Sequence, residues 1–321
     1  MRTTTIDNLH AARTKKNDEF YTQMKDIERE LNEHENSFKN QIVYCNCDDP
    51  ETSRFVEYFK KNFDKFELKK LIVTSYNSKG CGKLLIYEGK ECEIKSLVGN
   101  GDFRSKECIE FLKEADIVAT NPPFSLFRKF IAQLFEYDKK FVIIGNKNAL
   151  TNKEIFKLFK DDKMWIGNTP LGADIMFDVS EEYAKELLET KKNGAGYRII
   201  DGVVKGRTQA AWFTNLYVKK RHQELVLEKE YTPEEYPKFD HYDAINVNSM
   251  KEIPKNYYGL MGVPVTFFDK YNPEQFEIID GLNNNSILDG PTPETKDKFL
   301  AQVNGKPIYV RIIIKNKKVI K

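Results

Sequence analysis

The sequence lacks the features that mark several common protein classes. Its 321 residues include five cysteines, an odd number without C-x-x-C spacing, so neither a disulfide framework nor a zinc site is predicted. The four histidines show no metal-ligand spacing either. The longest apolar runs, such as residues 141–144, are too short to span a bilayer, and the first residues contain no apolar segment of the kind that directs export. We therefore expect a cytoplasmic protein without a metal centre.

A strong excess of one charge is also absent. The chain has 51 basic and 49 acidic residues and a formal net charge of +2, which neither indicates nor excludes a nucleic-acid partner. Basic clusters occur at residues 13–16, 219–222 and 315–321. Taken alone, each is typical of solvated surface, and it becomes a candidate phosphate-binding site only where other residues already imply a polyanion.

The sequence does contain a regular alternation of short apolar runs and amphipathic stretches, which begins at about residue 41. This pattern predicts strands at residues 41–47, 70–75, 93–98, 116–120 and 140–145. It also predicts helices at residues 51–62, 105–114 and 125–137, with Ser105 and Ser125 as the N-caps of the last two. Strands separated by single helices favour a parallel sheet with helices on both faces, which is an α/β fold.

The alternation becomes irregular after residue 151. A helix is predicted at residues 181–192 and a last core strand at residues 209–218, and the stretch beyond is rich in turns and shows no periodicity. We therefore predict a larger domain over residues 1–220 and a smaller region over residues 221–321.

The most informative segment is the apolar run 117–120, which is followed by Asn121, Pro122, Pro123 and Phe124. In an open parallel sheet, ligands bind beyond the carboxyl ends of the strands, so this tetrapeptide lies where a site is expected. The two prolines fix φ and remove backbone N–H donors, which leaves a stiff loop that presents carbonyl acceptors. A purely structural turn that ends in proline, with Phe124 in the core, would use the same residue types.

Carbonyl acceptors without competing donors suit an amine substrate. The exocyclic amine of a base is a weak nucleophile because its lone pair is delocalised into the ring. The Asn121 side-chain carbonyl and the Pro122 backbone carbonyl can each accept one N–H, which localises the lone pair and directs it at an electrophilic methyl group. Phe124 can stack on the planar base. The tetrapeptide therefore predicts methyl transfer to an amine, with Asn121, Pro122, Pro123 and Phe124 as catalytic residues.

The tetrapeptide resembles the [D/N/S]-P-P-[Y/F/W] signature of amino-methyltransferases, and a series of further segments is similar to the EcoRI-type adenine-specific DNA methyltransferases. These segments come in order and span most of the chain, at residues 18–22, 43–50, 101–105, 116–128, 242–247, 261–264 and 271–277. The resemblance implies a Rossmann-like methyltransferase sheet over residues 1–220 and a DNA target-recognition region over residues 221–321. It also implies methylation of N6 of an adenine that is flipped out of duplex DNA.

The resemblance further implies S-adenosylmethionine as the cofactor and double-stranded DNA as the partner. Membership of a restriction-modification system, or of a related DNA-modification system, would add a cognate endonuclease that acts on the same site. No motif requires another protein partner or a membrane. Because a polyanion is then implied, Lys219, Lys220 and Arg221 become candidates for contacts with phosphates.

Several cofactor-binding residues also follow from the resemblance. Phe20 would close over the methionine end of the cofactor, and Asp48, Asp49 and Pro50 would lie beside its amino-acid moiety. Asp102 would accept a hydrogen bond from the cofactor's adenine, and Phe103 would pack against that ring. Asn121 is assigned to the cofactor site as well as to catalysis.

Two departures from the common methyltransferase pattern concern the same site. The first strand is followed by residues 47–50, which contain no G-x-G, and the second strand ends in Ser75, Tyr76 and Asn77 without an acidic residue for the ribose. Tyr76 and Asn77 are the alternative candidates for the ribose contact in its place.

Other functions stay open on the residues alone. Cytosine N4, RNA adenine and protein glutamine are amines that can use the same tetrapeptide. A catalytically silent DNA-binding regulator would not need an intact Asn121, Pro122 and Phe124. A nicotinamide oxidoreductase is disfavoured because the chain has no G-x-G-x-x-G.

Overall fold

The computed structural model describes residues 22–90, 93–173, 175–179, 181–194, 196–283, 286–288 and 300–318. The chain forms two compact units. Unit 1 comprises the described part of Met1–Asn146 together with Gly167–Thr169 and Ala173–Leu216. Unit 2 comprises Lys147–Ile166, Pro170–Gly172 and the described part of Tyr217–Lys321. The change from unit 1 to unit 2 after Leu216 lies close to the predicted boundary at 220, and residues 147–166 also fall in unit 2.

The α-helices are α1 Met24–Leu31, α2 Glu35–Phe38, α3 Arg54–Lys61, α4 Lys106–Glu114, α5 Phe127–Glu136, α6 Lys153–Lys160 and α7 Glu181–Thr190. Short 3-10 helices occur at Asn32–His34, Phe124–Leu126, Lys147–Thr151, Lys219–His222, Met250–Glu252 and Val265–Asp269. No helix in the described ranges is long and apolar enough to cross a membrane.

The strands of unit 1 are β1 Ile42–Cys45, β2 Lys70–Ser75, β3 Lys83–Tyr87, β4 Lys95–Ser96, β5 Ile117–Thr120, β6 Lys140–Asn146, β8 Ile175–Asp178, β9 Tyr197–Ile200, β10 Val203–Thr208 and β11 Ala210–Thr214. Those of unit 2 are β7 Trp165–Ile166, β12 Ile245–Asn246, β13 Met261–Pro264, β14 Phe276–Asn283, β15 Ser286–Ile287, β16 Gln302–Val303, β17 Lys306–Pro307 and β18 Arg311–Asn316.

The main sheet of unit 1 has the order β4-β3-β2-β1-β5-β6-β11. β2, β1, β5 and β6 are parallel, whereas β3 and β4 on one side and β11 on the other are antiparallel to their neighbours. The predicted α/β fold is therefore confirmed, but the expectation of a parallel sheet is corrected to a mixed one. The loop from β2 to β3, residues 76–82, is too short for the crossover helix that a parallel connection needs.

The four central strands are apolar at almost every position because both faces of the sheet are covered. β1, β5 and β6 contribute Val43, Ile117 and Val142 to one continuous core, which Phe55 of α3 and Trp212 of β11 complete. Serines begin two of the helices. The Ser53 hydroxyl accepts a hydrogen bond from Phe55 N (3.1 Å), and the Ser105 hydroxyl accepts one from Cys108 N (3.2 Å).

The helix that follows the tetrapeptide begins later than predicted. α5 starts at Phe127 with Leu126 as its N-cap, and no side chain caps it. Ser125 lies instead within the 3-10 turn Phe124–Leu126, which closes through Leu126 N and the Pro123 carbonyl (2.9 Å). The prediction of Ser125 as a cap is therefore wrong, because a tight turn connects the prolines to the helix.

Helix α1 carries a buried carboxylate that the pattern of the sequence does not indicate. Glu30 is fully buried and accepts hydrogen bonds from the backbone N–H groups of Asn168 (2.6 Å) and Thr169 (2.7 Å). Burial opposes ionisation of Glu30, but the adjacent His34 ring and these two donors outweigh it and lower the pKa of the carboxyl. Glu30 thus holds the segment Gly167–Thr169 against α1.

Unit 2 contains a five-stranded sheet of order β12-β13-β18-β14-β15, in a region where the sequence shows turns without periodicity. Apolar residues of the sheet, including Leu282 and Ile313, pack with Phe239 and Ala244. The pattern is hidden because the strands are short or, in β14, interrupted by a bulge between Ile278 and Asp280.

The contact of Glu30 leads to a prediction about Gly167. A Cβ atom added there would lie 2.2 Å from Glu30 Oε1 and 2.6 Å from Trp212 Cβ, so Gly167→Ala should lower the free energy of unfolding by about 1–3 kcal/mol. Gly172→Ala is the matched control, because nothing lies within 4 Å of its added Cβ. Denaturant unfolding of the two variants measures the difference, and equal stabilities would show that Glu30 does not hold this segment.

Candidate active site

The carboxyl ends of β1, β2, β5 and β6 meet at one edge of the main sheet because these strands are parallel. β2 and β5 lie on opposite sides of β1, so the order of the strands reverses at β1. Open α/β sheets bind ligands at such a switch point, outside the carboxyl ends of the strands. A ligand site is therefore expected at the residues that follow β1, β2 and β5.

The Asp48 carboxylate joins two of these strand ends. It is 2% exposed and accepts hydrogen bonds from the Ser53 hydroxyl (2.6 Å) and the Thr120 hydroxyl (2.5 Å). Ser53 is the N-cap of α3, and Thr120 is the last residue of β5, directly before Asn121. One buried side chain therefore connects the β1 loop, the beginning of α3 and the start of the tetrapeptide.

The hydrogen bonds of Asp48 offset only part of the free-energy cost of removing its carboxylate from water. Burial raises the pKa of the carboxyl from an ordinary 3.8 to about 6, although the Ser53 and Thr120 hydrogen bonds act in the opposite direction. Relative to a fully solvated carboxyl, this shift stabilises the protonated form of Asp48 in the folded protein by about 3 kcal/mol.

The tetrapeptide itself forms a compact turn that presents an aromatic ring to solvent. Pro122 is buried, Asn121 and Pro123 are half-buried, and Phe124 is 39% exposed. Pro123 has an extended conformation (φ −62°, ψ 120°), and the 3-10 turn begins directly after it. Phe124 thus lies exposed at the carboxyl edge of the sheet, whereas a purely structural turn would place it in the core.

Asp49 and Pro50, which were predicted to lie beside the cofactor's amino-acid moiety, have different surroundings. Pro50 is buried, whereas the Asp49 carboxylate is half-buried and accepts hydrogen bonds from Glu51 N (2.9 Å) and Lys83 Nζ (3.1 Å). Burial opposes ionisation of Asp49, but these two donors outweigh it and lower its pKa. The Asp49 charge is thus partly neutralised by Lys83 of β3.

Asp102 lies in a loop that packs against the end of β2. A Cβ atom on Gly101, which has a φ of +79°, would lie 2.0 Å from the Ser75 carbonyl, so only glycine permits this approach. The Asp102 carboxylate forms a bidentate pair with Arg104, with Nε at 2.9 Å and Nη2 at 2.5 Å, and these hydrogen bonds lower its pKa.

The aromatic residues near Asp102 differ in their exposure. Phe103 is 4% exposed and packs edge-on against Phe130 of α5, with ring centroids 5.0 Å apart. Its ring therefore packs in the core of unit 1, and its contact with the cofactor's adenine stays a prediction. Tyr76, directly after β2, is 54% exposed, and its neighbour Asn77 donates its N–H to the Asn100 carbonyl (2.8 Å). Tyr76 and the Asp102 loop thus lie together beside the end of β2.

Three residues of this edge were missed by the sequence prediction. Thr120 appeared only as the end of a predicted strand and Ser53 only within a predicted helix, although both donate to Asp48. Asn46 is 2% exposed, and its side-chain oxygen has no hydrogen-bond partner in the described part of the chain. A buried unpaired amide oxygen is a candidate acceptor for a ligand group. Its position two residues before Asp48 was the one available signal.

The predicted phosphate-binding residues Lys219, Lys220 and Arg221 are not equivalent. They form a 3-10 turn in unit 2, where Lys219 is exposed. Lys220 is half-buried and lies 3.8 Å from the Asp269 carboxylate. The Arg221 guanidinium lies over the Trp165 ring (4.2 Å to its centroid) and is ion-paired with Asp162. Lys219 alone thus presents its charge to solvent.

Phe20, the remaining predicted cofactor contact, lies outside the described residues. Among the residues that are described, no group of three or more His, Cys, Asp or Glu side chains could hold a metal ion.

Comparison with known proteins assigns the chain to a family. The profile of the family described as adenine-specific methyltransferase EcoRI matches residues 8–92 and 85–317. The chain belongs to this adenine-specific methyltransferase family. Type II methyltransferase M.EcoRI of Escherichia coli is 44% identical, over 99% of this chain and 98% of that protein. Type II methyltransferase M.MpnI of Mycoplasma pneumoniae is 38% identical over 96% of this chain and 98% of its own length.

A third relative, Type II methyltransferase M.MgeORF184P of Mycoplasma genitalium, is 39% identical over 98% of this chain and all of its own length. No solved structure matches the chain. The expected family is thus confirmed over nearly the whole sequence, and the carboxyl edge described above is the candidate active site of a methyltransferase.

The raised pKa of Asp48 predicts how this methyltransferase responds to pH. The folded protein binds the Asp48 proton up to about pH 6 and the unfolded chain only up to about pH 4, so the contribution of Asp48 to stability falls as pH rises between these values. The free energy of unfolding of the wild type, relative to Asp48→Asn, should therefore decrease by about 2 kcal/mol from pH 4 to pH 7.

Asp49→Asn is the control for this measurement, since the pKa of Asp49 is lowered. Its stability difference from the wild type should change in the opposite direction, with the wild type losing its advantage as pH falls. Denaturant titrations at several pH values would contradict the role of Asp48 if the difference for Asp48→Asn did not vary with pH.

Proposed function

We propose that this methyltransferase transfers a methyl group from S-adenosylmethionine to N6 of an adenine that is flipped out of duplex DNA. The observation that carries the proposal is the position of the Asn121–Phe124 tetrapeptide at the switch point of the sheet, with the Phe124 ring exposed and Thr120 fixed by Asp48. Family membership gives the class of reaction and the base. The cofactor and the extrusion of the base are our inference.

The residues at this edge suit the proposed cofactor. S-adenosylmethionine supplies an electrophilic methyl group on a sulfonium sulfur, together with a charged amino-acid moiety and an adenosine. We assign the unpaired Asn46 oxygen to the amino-acid end. We assign Tyr76 to the ribose and Asp102 to the adenine. A carboxylate has about four acceptor positions, so Asp102 can accept an amine hydrogen while it remains paired with Arg104.

The tetrapeptide aligns the amine. The Asn121 side-chain carbonyl and the Pro122 backbone carbonyl each accept one N–H of the target amine, which directs its lone pair at the methyl group. Phe124 stacks on the extruded base and contributes about 1–3 kcal/mol to its retention. The attacked nitrogen is cationic after transfer and loses its proton to solvent, so no general base is needed. The acceptors act by orientation, and their rigidity comes from the two prolines.

We assign selection of the DNA sequence to residues 221–321, which form most of unit 2. Loops carried on a rigid sheet are the usual place for residues that recognise a ligand. The relatives are named Type II methyltransferases, and we propose a corresponding restriction-modification role for this chain.

Incubation of duplex DNA with labelled S-adenosylmethionine tests the proposal directly. We expect label in N6-methyladenine at one sequence context. Label found only in cytosine, RNA or protein would contradict the substrate, and an absence of label would contradict the donor.

The role of the tetrapeptide predicts a specific pattern among variants. Asn121→Ala should lower single-turnover methylation by at least about 100-fold at saturating cofactor, because the lone pair is no longer aligned. Asn121→Asp keeps a carbonyl-type acceptor and should retain more activity. Phe124→Ala should weaken retention of the base, and Ser125→Ala, at the next exposed position, is its control. Near-normal turnover of Asn121→Ala would show that the tetrapeptide is only a structural turn.

The unequal surroundings of the basic cluster predict a small effect on salt dependence. Lys219→Ala should reduce the slope of log affinity for DNA against log salt by about 0.9, the value for one phosphate contact. Arg221→Ala should leave the slope unchanged and lower the stability of unit 2, because Arg221 packs on Trp165. Equal reductions of the slope by both variants would place Arg221, too, on the DNA.

A further inference from the structure

A β-hairpin of unit 1 has no role in the site described so far. β9 and β10 are antiparallel and pair Ile200 with Val203 and Arg198 with Lys205. Asp201 and Gly202 connect them with φ values of +50° and +78°, the conformation of a two-residue hairpin turn. Six residues of β10 from Val203 to Thr208 give the hairpin a length of about 20 Å.

The tip of this hairpin carries apolar side chains that lie in solvent beside the Asp201–Gly202 turn. Ile199 is 52% exposed, Ile200 38% and Val203 54%. These side chains lie outside the buried core of unit 1, and the neighbouring pair of Ile200 and Val203 is unfavourable for a surface that only contacts water.

The base of the hairpin lies at the carboxyl edge of the main sheet. β10 ends at Thr208, and β11 begins at Ala210, which pairs with Asn146 at the end of β6. β6 runs parallel to β5, which ends at Thr120 directly before the tetrapeptide. The hairpin therefore starts from the same edge of the sheet as the candidate active site.

The charge of the hairpin region suits a polyanion. Residues 191–207 contain five basic residues and one acidic residue. Arg198 is exposed on β9, the outer strand of the small sheet β8-β10-β9. Lys205 of β10 lies opposite Arg198 in the strand register, so two basic residues are neighbours across the hairpin. Positive charge beside an exposed apolar tip is the combination found in proteins that insert side chains into a DNA duplex.

We propose that the β9–β10 hairpin is a DNA-binding arm that inserts its apolar tip, the cross-strand pair of Ile200 and Val203 beside the Asp201–Gly202 turn, into the duplex next to the extruded adenine. A two-stranded ribbon fits the major groove of B-DNA. The apolar tip occupies the space that the adenine leaves in the stack, and Arg198 contacts a phosphate. This proposal rests on the proposed function, since it requires duplex DNA and an extruded base.

The test uses the full chain with Ile200→Thr and Val203→Thr combined, which removes apolar surface at exposed positions and keeps β-branched side chains. The duplex carries 2-aminopurine at the target position, whose fluorescence rises when the base unstacks. We expect about tenfold weaker DNA binding and less than half of the wild-type fluorescence rise, with unchanged affinity for S-adenosylmethionine. A duplex with an abasic site opposite the target should restore much of the methylation rate, because extrusion then costs less.

Leu188→Gln on α7 is the control, because Leu188 is also exposed and lies outside the hairpin. Wild-type methylation of the duplex together with unchanged binding and fluorescence in the double variant would overturn the hairpin proposal and leave the proposed function standing. A change in sedimentation of the double variant, at unchanged DNA affinity, would assign the tip to contact with a second copy and overturn it as well. A wild-type chain that neither binds nor methylates duplex DNA would overturn both proposals.

Discussion

The geometry of the candidate site depends on one buried carboxylate. Asp48 joins Ser53 at the beginning of α3 to Thr120 at the end of β5, and Asn121 follows Thr120 directly. Burying a carboxylate with only two hydroxyl donors is unfavourable, as its raised pKa records. An apolar side chain at position 48 would avoid this desolvation cost. The carboxylate lowers stability, but its directional hydrogen bonds fix the distance between the ends of β1 and β5. An apolar contact would define that distance less strictly.

The sequence predicted the elements whose signals are local. β2 occupies the predicted residues 70–75, and α4 begins after its predicted cap Ser105, because apolar periodicity and a capping serine act over a few neighbouring positions. Ser125 was predicted by the same rule and is not a cap, since the preceding prolines impose a 3-10 turn that the rule does not include. The chemistry proposed for the tetrapeptide also rests on consecutive residues, and it stays a prediction.

Contacts between distant parts of the chain were not predictable in this way. Glu30 bonds to Asn168 and Thr169, and Thr120 bonds to Asp48, across separations of 138, 139 and 72 residues. The three basic residues 219–221 look alike in the sequence, yet Arg221 lies over the ring of Trp165. Whether a charged side chain is solvated, packs on a neighbour or binds a ligand depends on its partner in the fold. The residues next to it in the sequence do not identify that partner.

The charges at the carboxyl edge must satisfy two opposite demands of the proposed reaction. The sulfonium and ammonium groups of S-adenosylmethionine are cations and favour carboxylates, whereas duplex DNA is repelled by them. Three aspartates lie at this edge, and each is moderated within unit 1 before any ligand binds. Asp49 is paired with Lys83 and Asp102 with Arg104, while Asp48 is buried with a pKa of about 6. In such an ion pair the carboxylate oxygens can still accept hydrogen bonds from a nearby group. At the distance of the DNA backbone the potentials of the two charges largely cancel, because the field of an ion pair decays faster than that of a single charge. Asp102 can therefore accept hydrogen bonds from a cofactor without presenting a net charge towards DNA, whereas the charge of Lys83 is shared between Asp49 and Glu51.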